Sequence, residues 1–273
     1  MAIDCSILLY KYRYSSNKND NSHIIGFLNR IKFYNQYKIH TIFIFDGIPP
    51  EAKKITLQKR QNNRKRVQDR IDTLKLVEPK DSRDKKELED EIKRLQSQII
   101  YVKKTHIDDC KKLLYLMGIP FLTAPDEAEK FCAFLNFKGV VKYTVSDDTD
   151  CLTFGCSNVL KTSIQDNIIE IDYKQLLENI NFDNKKFIDF CILCGCDYCP
   201  FIPSVGWVTA YNVIKKYNNI ESFIENTTKF NIPNNYNYSE ARDIFTNFDS
   251  YDLTNISTEK DDIKTEEIKL FLK

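Results

Sequence analysis

The sequence predicts an α/β fold, a mostly parallel sheet with helices on both faces. Short apolar, β-branched runs at 2–9, 41–46 and 141–148 alternate with helical patterns at 22–37, 53–75, 84–117, 126–137 and 184–194. Strands that alternate with helices in this way form parallel sheets. Each run also closes on or contains an acid, namely Asp4, Asp46 and Asp148. Ligands of such folds sit at the carboxyl ends of the strands.

The first run, "MAIDCSILLY", lacks the basic flank and small-residue cleavage site of a signal peptide and reads as a buried strand. "TIFIFD" is the second strand and closes on Asp46. The stretch 53–104 is free of glycine, highly charged and interrupted at "EPKDS", so it reads as a helical excursion from the sheet. Its first part carries eight basic residues (Lys53, Lys54, Lys59, Arg60, Arg64, Lys65, Arg66, Arg70) against one acid, Asp69. In "TAPDEAEKFCAFL", Pro125 marks a turn, Asp126 is the expected N-cap, and Glu127 and Glu129 fall in the first helical turn. "VKYTVSDD" holds the third strand, and "SDDTDCLTFG" places Asp147, Asp148 and Asp150 just after it. "KKFIDFCILCG" is an apolar helix expected to end on Gly195 in a left-handed cap, just before Asp197. From 205 onward two short helices meet at a turn near Asn218–Asn219, and the tail 227–265 shows weak periodicity.

The 273 residues are 42% hydrophobic and 29% charged, and no apolar run is long enough for a transmembrane helix. Net charge is +1, but its distribution is uneven: cations concentrate in 53–70 and carboxylates elsewhere. Such separation suits a protein that holds a polyanion with one part and cations with another; a solvated basic helix face is the plainer alternative. The nine cysteines are an odd number without a secretory signal, which favours a reduced compartment.

Seven acids fall at expected strand or helix ends: Asp4, Asp46, Glu127, Glu129, Asp148, Asp150 and Asp197. Like charges gathered in one cleft repel unless something neutralises them. Hard divalent cations do so, and Mg²⁺ binds through a few carboxylates while keeping waters. Two such ions ~4 Å apart activate a water and stabilise a leaving oxygen in phosphodiester cleavage. No histidine base is required, in keeping with only three His in the chain. Taken singly, each acid also fits a helix cap or a loop decoration.

These strings resemble the flap-endonuclease branch of the structure-specific 5′ nucleases, the XPG superfamily, over residues 2 to about 225. "AIDCSILLY" is similar to the family's first metal strand, with Asp4 at a ligand position and Tyr10 where the family has a base-stacking aromatic. "FIFDGIPPEAKKITLQKR" resembles the second acidic motif running into a helical arch. It implies a ligand-shell role for Asp46 and places Lys53 and Arg60 as the basic pair that faces the scissile phosphate. "LMGIPFLTAPDEAEK", "SDDTDCLTFG" and "CILCGCDYC" resemble the motifs that hold the remaining metal acids. The resemblance implies a PIN-like core in 1–52 and 105–200, an arch at 53–104, a helix-two-turn-helix duplex-binding region at 201–226 and a C-terminal segment at 227–273.

"CILCGCDYCP" packs four cysteines into ten residues, a density that otherwise suggests zinc or iron–sulfur. Four thiolates so tightly placed around a helix end would hardly close a tetrahedral shell. Cys191 and Cys194 are therefore expected as small buried hydrophobes, with Cys196 and Cys199 flanking Asp197. Two departures from the family are visible. This sequence opens at the first metal strand, where the family has a lead-in with an N-terminal glycine and a packed helix, which points to a fragment, a misassigned start or a shortened version. The loop "PSVGWVTA" has one glycine and no basic residue where the family tends to have two glycines and then basic residues, which implies a weaker grip on duplex or on a monovalent cation.

The resemblance implies a 5′ flap endonuclease that uses two Mg²⁺ ions, with Mn²⁺ able to substitute, in DNA replication and repair. Lys53 and Arg60, about two helical turns apart, are expected on one face of a continuous helix. Tyr10, Lys59, Arg64, Lys65, Arg66, Ser204 and Gly206 are expected to contact DNA. The expected partner is DNA with a 5′ single-stranded flap or branch, bound by a monomer without membrane association. No sliding-clamp motif is visible after 260. The expected location is the nucleus, or a cytoplasmic replication site for a viral protein. The alternatives are a 5′→3′ exonuclease of the same superfamily and a catalytically weak DNA-binding scaffold.

Overall fold

The computed structural model describes residues 1–15, 21–162, 168–254 and 256–272. Contacts divide the chain into two units. The first comprises Met1–Ile7, Ile39–Lys53 and Ile119–Asp261; the second comprises Leu8–Lys38, Lys54–Gly118 and Asp262–Lys273.

The first unit holds the sheet. Its strands are β1 (Ala2–Asp4), β2 (Ile42–Phe45), β3 (Phe121–Thr123), β4 (Thr144–Val145), β5 (Asn158–Thr162) and β6 (Ile168–Asp172). They lie in the order β3-β2-β1-β4-β5-β6. All neighbours are parallel except β5 and β6. The chain moves outward from β1 in both directions, so the β1–β4 junction is the switch point where such sheets open a crevice at the strand ends. Residues of both parities are buried, Ala2, Ile42 and Ile44 on one face and Ile3, Phe43 and Phe45 on the other, so both faces are covered.

The helices, in order, are α1 (Cys5–Ser15), α2 (Ser22–Gln36), α3 (Lys54–Lys75), α4 (Ser82–Gln96), α5 (Lys104–Leu116), α6 (Ala128–Phe137) and α7 (Asp150–Thr153). They continue with α8 (Tyr173–Ile180), α9 (Asn184–Cys194), α10 (Trp207–Tyr217), α11 (Ile220–Asn226), α12 (Tyr238–Thr246) and α13 (Thr265–Phe271). In the first unit α6 packs on the sheet, with Phe131, Cys132 and Leu135 against Ala2, Ile42 and Ile44. A second core gathers α9 to α12 around Ile192, Leu193, Ala210, Ile214, Phe223 and Phe245. In the second unit α3 and α4 form a hairpin that buries only a small core of Ile71, Leu74 and Leu95. Asp81 caps α4, accepting the N–H groups of Arg83 and Asp84 at 2.8 and 2.9 Å. Among the described residues no helix is long and apolar enough to cross a membrane.

Several expectations are corrected. The strand expected over 2–9 is three residues long, because α1 starts at Cys5. Cys5, Leu8 and Leu9 are buried at helical spacing, a pattern that a short apolar run does not distinguish from a strand. The helix expected over 84–117 is two helices, separated at 97–103. Lys53 and Arg60 do not share a continuous α-helix: Lys53 closes a 3-10 turn, Glu51–Lys53, and α3 begins at Lys54. Gly195 has positive φ as expected, but at φ 110 and ψ 127 it lies outside the left-handed helical region. The tail of weak periodicity contains α12, anchored by buried Ala241 and Phe245. Residues 255 and 273 of the expected C-terminal segment lie outside the described residues.

Candidate metal centre

The site is built at the carboxyl ends of β1, β2 and β4. Asp4 ends β1 and is 1% exposed. Its Oδ1 accepts the Ser6 N–H at 2.9 Å and its Oδ2 accepts the Ser146 hydroxyl at 2.8 Å. Asp46 follows β2. Its Oδ1 accepts the Ala128 N–H at 2.9 Å, and the Ser6 hydroxyl donates to its Oδ2. Asp46 therefore satisfies an orphan donor at the start of α6. Asp126, the N-cap expected from sequence, instead accepts the N–H of its neighbour Glu127 and the hydroxyl of Tyr251. Gly47 permits this docking: a Cβ there would stand 2.0 Å from the Ala124 carbonyl oxygen, and the Gly47 N–H donates to the Asp126 carbonyl at 2.6 Å.

With α6 pinned in this way, Glu127 becomes its N-cap residue and Glu129 lies in its first turn, both buried. The Tyr198 hydroxyl donates to Glu127 Oε2 at 2.6 Å. After β4, the Ser146 hydroxyl accepts the Asp148 N–H at 3.0 Å, and Asp148 Oδ1 accepts the Asp150 N–H at 2.9 Å. This folds both acids into a tight turn before α7. Asp197 follows α9. Lys53 enters from the 3-10 turn: its ammonium contacts Glu127 Oε1, lies 3.0 Å from Asp197 Oδ2 and 4.0 Å from Glu129 Oε1.

Electrostatics ties the seven carboxylates into one cluster. Burial, then Asp46 and, more weakly, Asp148 push Asp4 up to about 7, against its hydrogen bonds from Ser146 and Ser6. Burial, Asp148 and Asp197 push Asp150 up to about 7, against Lys53. Burial, Asp4 and Glu127 raise Glu129 well above the usual carboxylate range. Burial raises Glu127 as well, although Lys53 and Tyr198 oppose it. Burial pulls Lys53 down, but Glu127, Glu129 and Asp197 outweigh it and hold the ammonium firmly protonated. One ammonium does not neutralise this many carboxylates, and the upward shifts mean that protons offset part of the remaining charge.

The donor set is carboxylate oxygen throughout, the chemistry that hard divalent cations take. Among the described residues no three His, Cys, Asp or Glu side chains already close into a metal cage.

The structure thus brings all seven sequence-identified acids and Lys53 into the first unit. Tyr10 and the cations Lys59, Arg60, Arg64, Lys65 and Arg66 belong to the second unit, on α1 and α3. Within that unit Tyr10, 44% exposed, lines a pocket with Arg60 and Arg64. Ser204 and Gly206 lie in the first unit, in the loop before α10. Ser204 has φ 66, a conformation glycine adopts most easily, and Gly206 is the N-cap of α10 without a side-chain capping bond. The four clustered cysteines divide in two: Cys191 and Cys194 lie on α9 against the core, while Cys196 and Cys199 hydrogen-bond to each other at 3.7 Å. Sequence reasoning missed Ser6, Ser146 and Tyr198, each of which orients a carboxylate. The available signal was adjacency, since each stands within two residues of an acid of the cluster.

Fold and site together define a PIN-like nuclease fold with a partly buried carboxylate cluster at its strand ends. The XPG N-terminal domain matches residues 1–67 and the XPG I-region residues 118–197. Flap endonuclease 1 of Entamoeba histolytica is 36% identical over 289 residues, covering 100% of this chain and 74% of that protein. Flap endonuclease 1 of Plasmodium knowlesi is 37% identical over 303 residues, covering 100% of this chain and 49% of that protein. The solved catalytic core of Rad2 in complex with DNA substrate superposes with a TM-score of 0.73 at 22% identity, covering 100% of this chain and 86% of that one. The chain belongs to the XPG family, in its flap-endonuclease branch. It spans about half the length of the first Plasmodium relatives it matches.

Proposed function

We propose that this chain is a structure-specific 5′ flap endonuclease, dependent on divalent metal, that hydrolyses phosphodiester bonds in branched DNA during replication and repair. One observation carries the reading: seven carboxylates from five separate stretches of sequence converge at the strand ends with a half-buried lysine among them. The relatives' name, and the DNA substrate held by the Rad2 core, support DNA as the partner.

In this reading Asp4, Asp46, Glu127, Glu129, Asp148, Asp150 and Asp197 hold two Mg²⁺ ions, directly or through water, with Mn²⁺ substituting. Such a pair supplies an activated water and offsets charge on the leaving oxygen. Ser6, Ser146 and Tyr198 fix the carboxylates so that the site needs no rearrangement when charge develops. Lys53 places a permanent positive charge in the cluster, where it opposes charge building on a scissile phosphate. Arg60 takes the same role from α3, Tyr10 stacks on an unpaired base, and Lys59, Arg64, Lys65 and Arg66 hold phosphates of the single-stranded arm. The loop at Ser204–Gly206 offers backbone amides to a duplex phosphate.

The test is cleavage of a 5′-labelled flap by the full chain with Mg²⁺, and with Mg²⁺ removed by chelation. One cut near the branch, lost on chelation and restored by Mg²⁺ or Mn²⁺, is the expected result. A ladder of single nucleotides from a recessed 5′ end, with no flap cut, replaces the reading with that of an exonuclease. Tight flap binding without metal-dependent cleavage replaces it with that of a scaffold.

A further inference from the structure

We propose that the second unit carries a two-station track for the bases of a single-stranded DNA arm, and that Tyr14 and Tyr101 form its second station. The proposal deepens the flap-endonuclease reading and rests on it for the identity of the strand. Two pockets lie side by side in this unit. The first, about 490 Å³, is lined by Tyr10, Leu57, Arg60, Arg64, Val67 and Ile100 among others. The second, about 550 Å³, is lined by Arg13, Tyr14, Lys93, Ile100, Tyr101 and Lys103 among others. Both fall within the roughly 300–1,000 Å³ typical of sites that hold small organic ligands.

The two pockets share Ile100. They are also linked by Arg64 of the first, whose guanidinium stands 5.8 Å from the Tyr101 ring centroid of the second. Tyr10 and Tyr14 are four residues apart on α1, so they project from one face. All three rings are open to solvent, Tyr10 at 44%, Tyr14 at 60% and Tyr101 at 48%. Rings that served only to fill a core would be buried.

Charge points the same way. None of the residues lining either pocket is acidic, although α3 and α4 carry Asp69, Asp72, Asp84, Glu87, Glu89, Asp90 and Glu91, of which Asp90 lies 3.9 Å from the Lys93 ammonium. Cations beside solvent-facing aromatic rings, with no carboxylate between them, are what a single strand needs: charge for the phosphates and π-faces for the bases. Such a track is tolerant of sequence, since every base has a face to stack.

The experiment compares binding of the full chain to a labelled oligothymidine and to an abasic strand of the same length. The unsubstituted chain is expected to bind oligothymidine more tightly. Tyr14→Ala and Tyr101→Ala should each weaken oligothymidine binding roughly ten-fold and leave abasic binding unchanged. Tyr14→Phe and Tyr101→Phe should retain it, which separates lost stacking from lost folding. Lys93→Ala should weaken both strands alike and flatten the salt dependence. Equal affinity of the unsubstituted chain for both strands, or alanine variants that bind both strands as it does, overturns the track. Flap cleavage by the unsubstituted chain is read separately. Base-dependent binding without cleavage sinks the endonuclease reading alone, and cleavage without base-dependent binding sinks the track alone.

Discussion

Lys53 occupies a position where one positive charge serves several carboxylates, and this sets its expected phenotype. A donor aimed at charge that develops in a transition state typically contributes ~3–4 kcal/mol, or 10²–10³ in rate. Single-turnover cleavage of a flap at saturating enzyme should therefore fall by about two orders of magnitude or more in Lys53→Ala and in Arg60→Ala. Lys65→Ala, an exposed cation on α3, should mainly change affinity and its salt dependence. Equal, small losses at all three, recovered at low salt, would reduce the segment to an electrostatic tether. Asp148→Ala and Asp150→Ala should abolish cleavage and keep flap binding, since each removes a carboxylate rather than a DNA contact; wild-type rates with Mg²⁺ in either would remove that acid from the site. The acids were legible because each stands at the end of an expected strand or at one end of an expected helix. Their supports were not, because Ser6 and Asp46 are 40 residues apart, Ser146 and Asp4 142, and Tyr198 and Glu127 71. Contacts of that range are made by the tertiary fold, and only the adjacency of each support to a cluster acid was visible locally.

At the scale of elements, helices with long apolar periodicity were legible and short strands were not. Helix α9 matches its expected span of 184–194, and α2 matches within one residue. Strand β4 is two residues long and β3 three, too few for a period of two to show, and the five-residue β5 and β6 were not expected either. Helix α12 was missed for a different reason: it is held by one long-range ion pair as much as by its apolar face. Arg242 binds Asp189 of α9 through Nε at 2.9 Å and Nη2 at 2.7 Å, and reaches Glu221 of α11 at 2.8 Å. Asp189, 3% exposed, also accepts the Ile220 N–H at 3.1 Å. Removing one partner of a buried pair strands the other charge. Arg242→Ala should cost about 2–3 kcal/mol in urea unfolding, less than a fully buried pair because the arginine is partly exposed. A loss below about 0.5 kcal/mol would place the clamp among ordinary surface pairs. Gly47→Ala tests the other anchor. Its methyl has no room beside the Ala124 carbonyl, so it should push Asp46 off the start of α6 and lower both the melting temperature and the metal-dependent rate. Unchanged values for both would mean that the loop yields without moving Asp46.

For the whole molecule, a net charge of +1 conceals a first unit that gathers a partly buried carboxylate cluster and a second that carries basic pockets without acidic lining residues. The consequence is a pH-dependent stability with a definite sign. Asp4 and Asp150 have folded values near 7 against an ordinary 3.8. Below the ordinary value both groups are protonated in the folded and the unfolded chain, and neither costs stability. Between about 3.8 and about 7 the folded chain keeps protons that the unfolded chain has released. Stability then falls as pH rises, because the unfolded state binds fewer protons. Above about 7 both groups are ionised in the folded state and their full penalty is present. On the proposed reading, a divalent cation held by the ionised cluster would offset that penalty, as any ligand of the native state stabilises it by mass action. Metal-free protein should therefore lose melting temperature between pH 5 and 8, over and above the loss in an Asp150→Asn variant. Saturating Mg²⁺ should raise the Tm more at pH 8 than at pH 6, where part of the cluster still holds protons that the metal must displace. An equal Mg²⁺-induced shift at both pH values, or one that survives Asp4→Asn and Asp150→Asn together, would place the stabilising cation away from the strand ends.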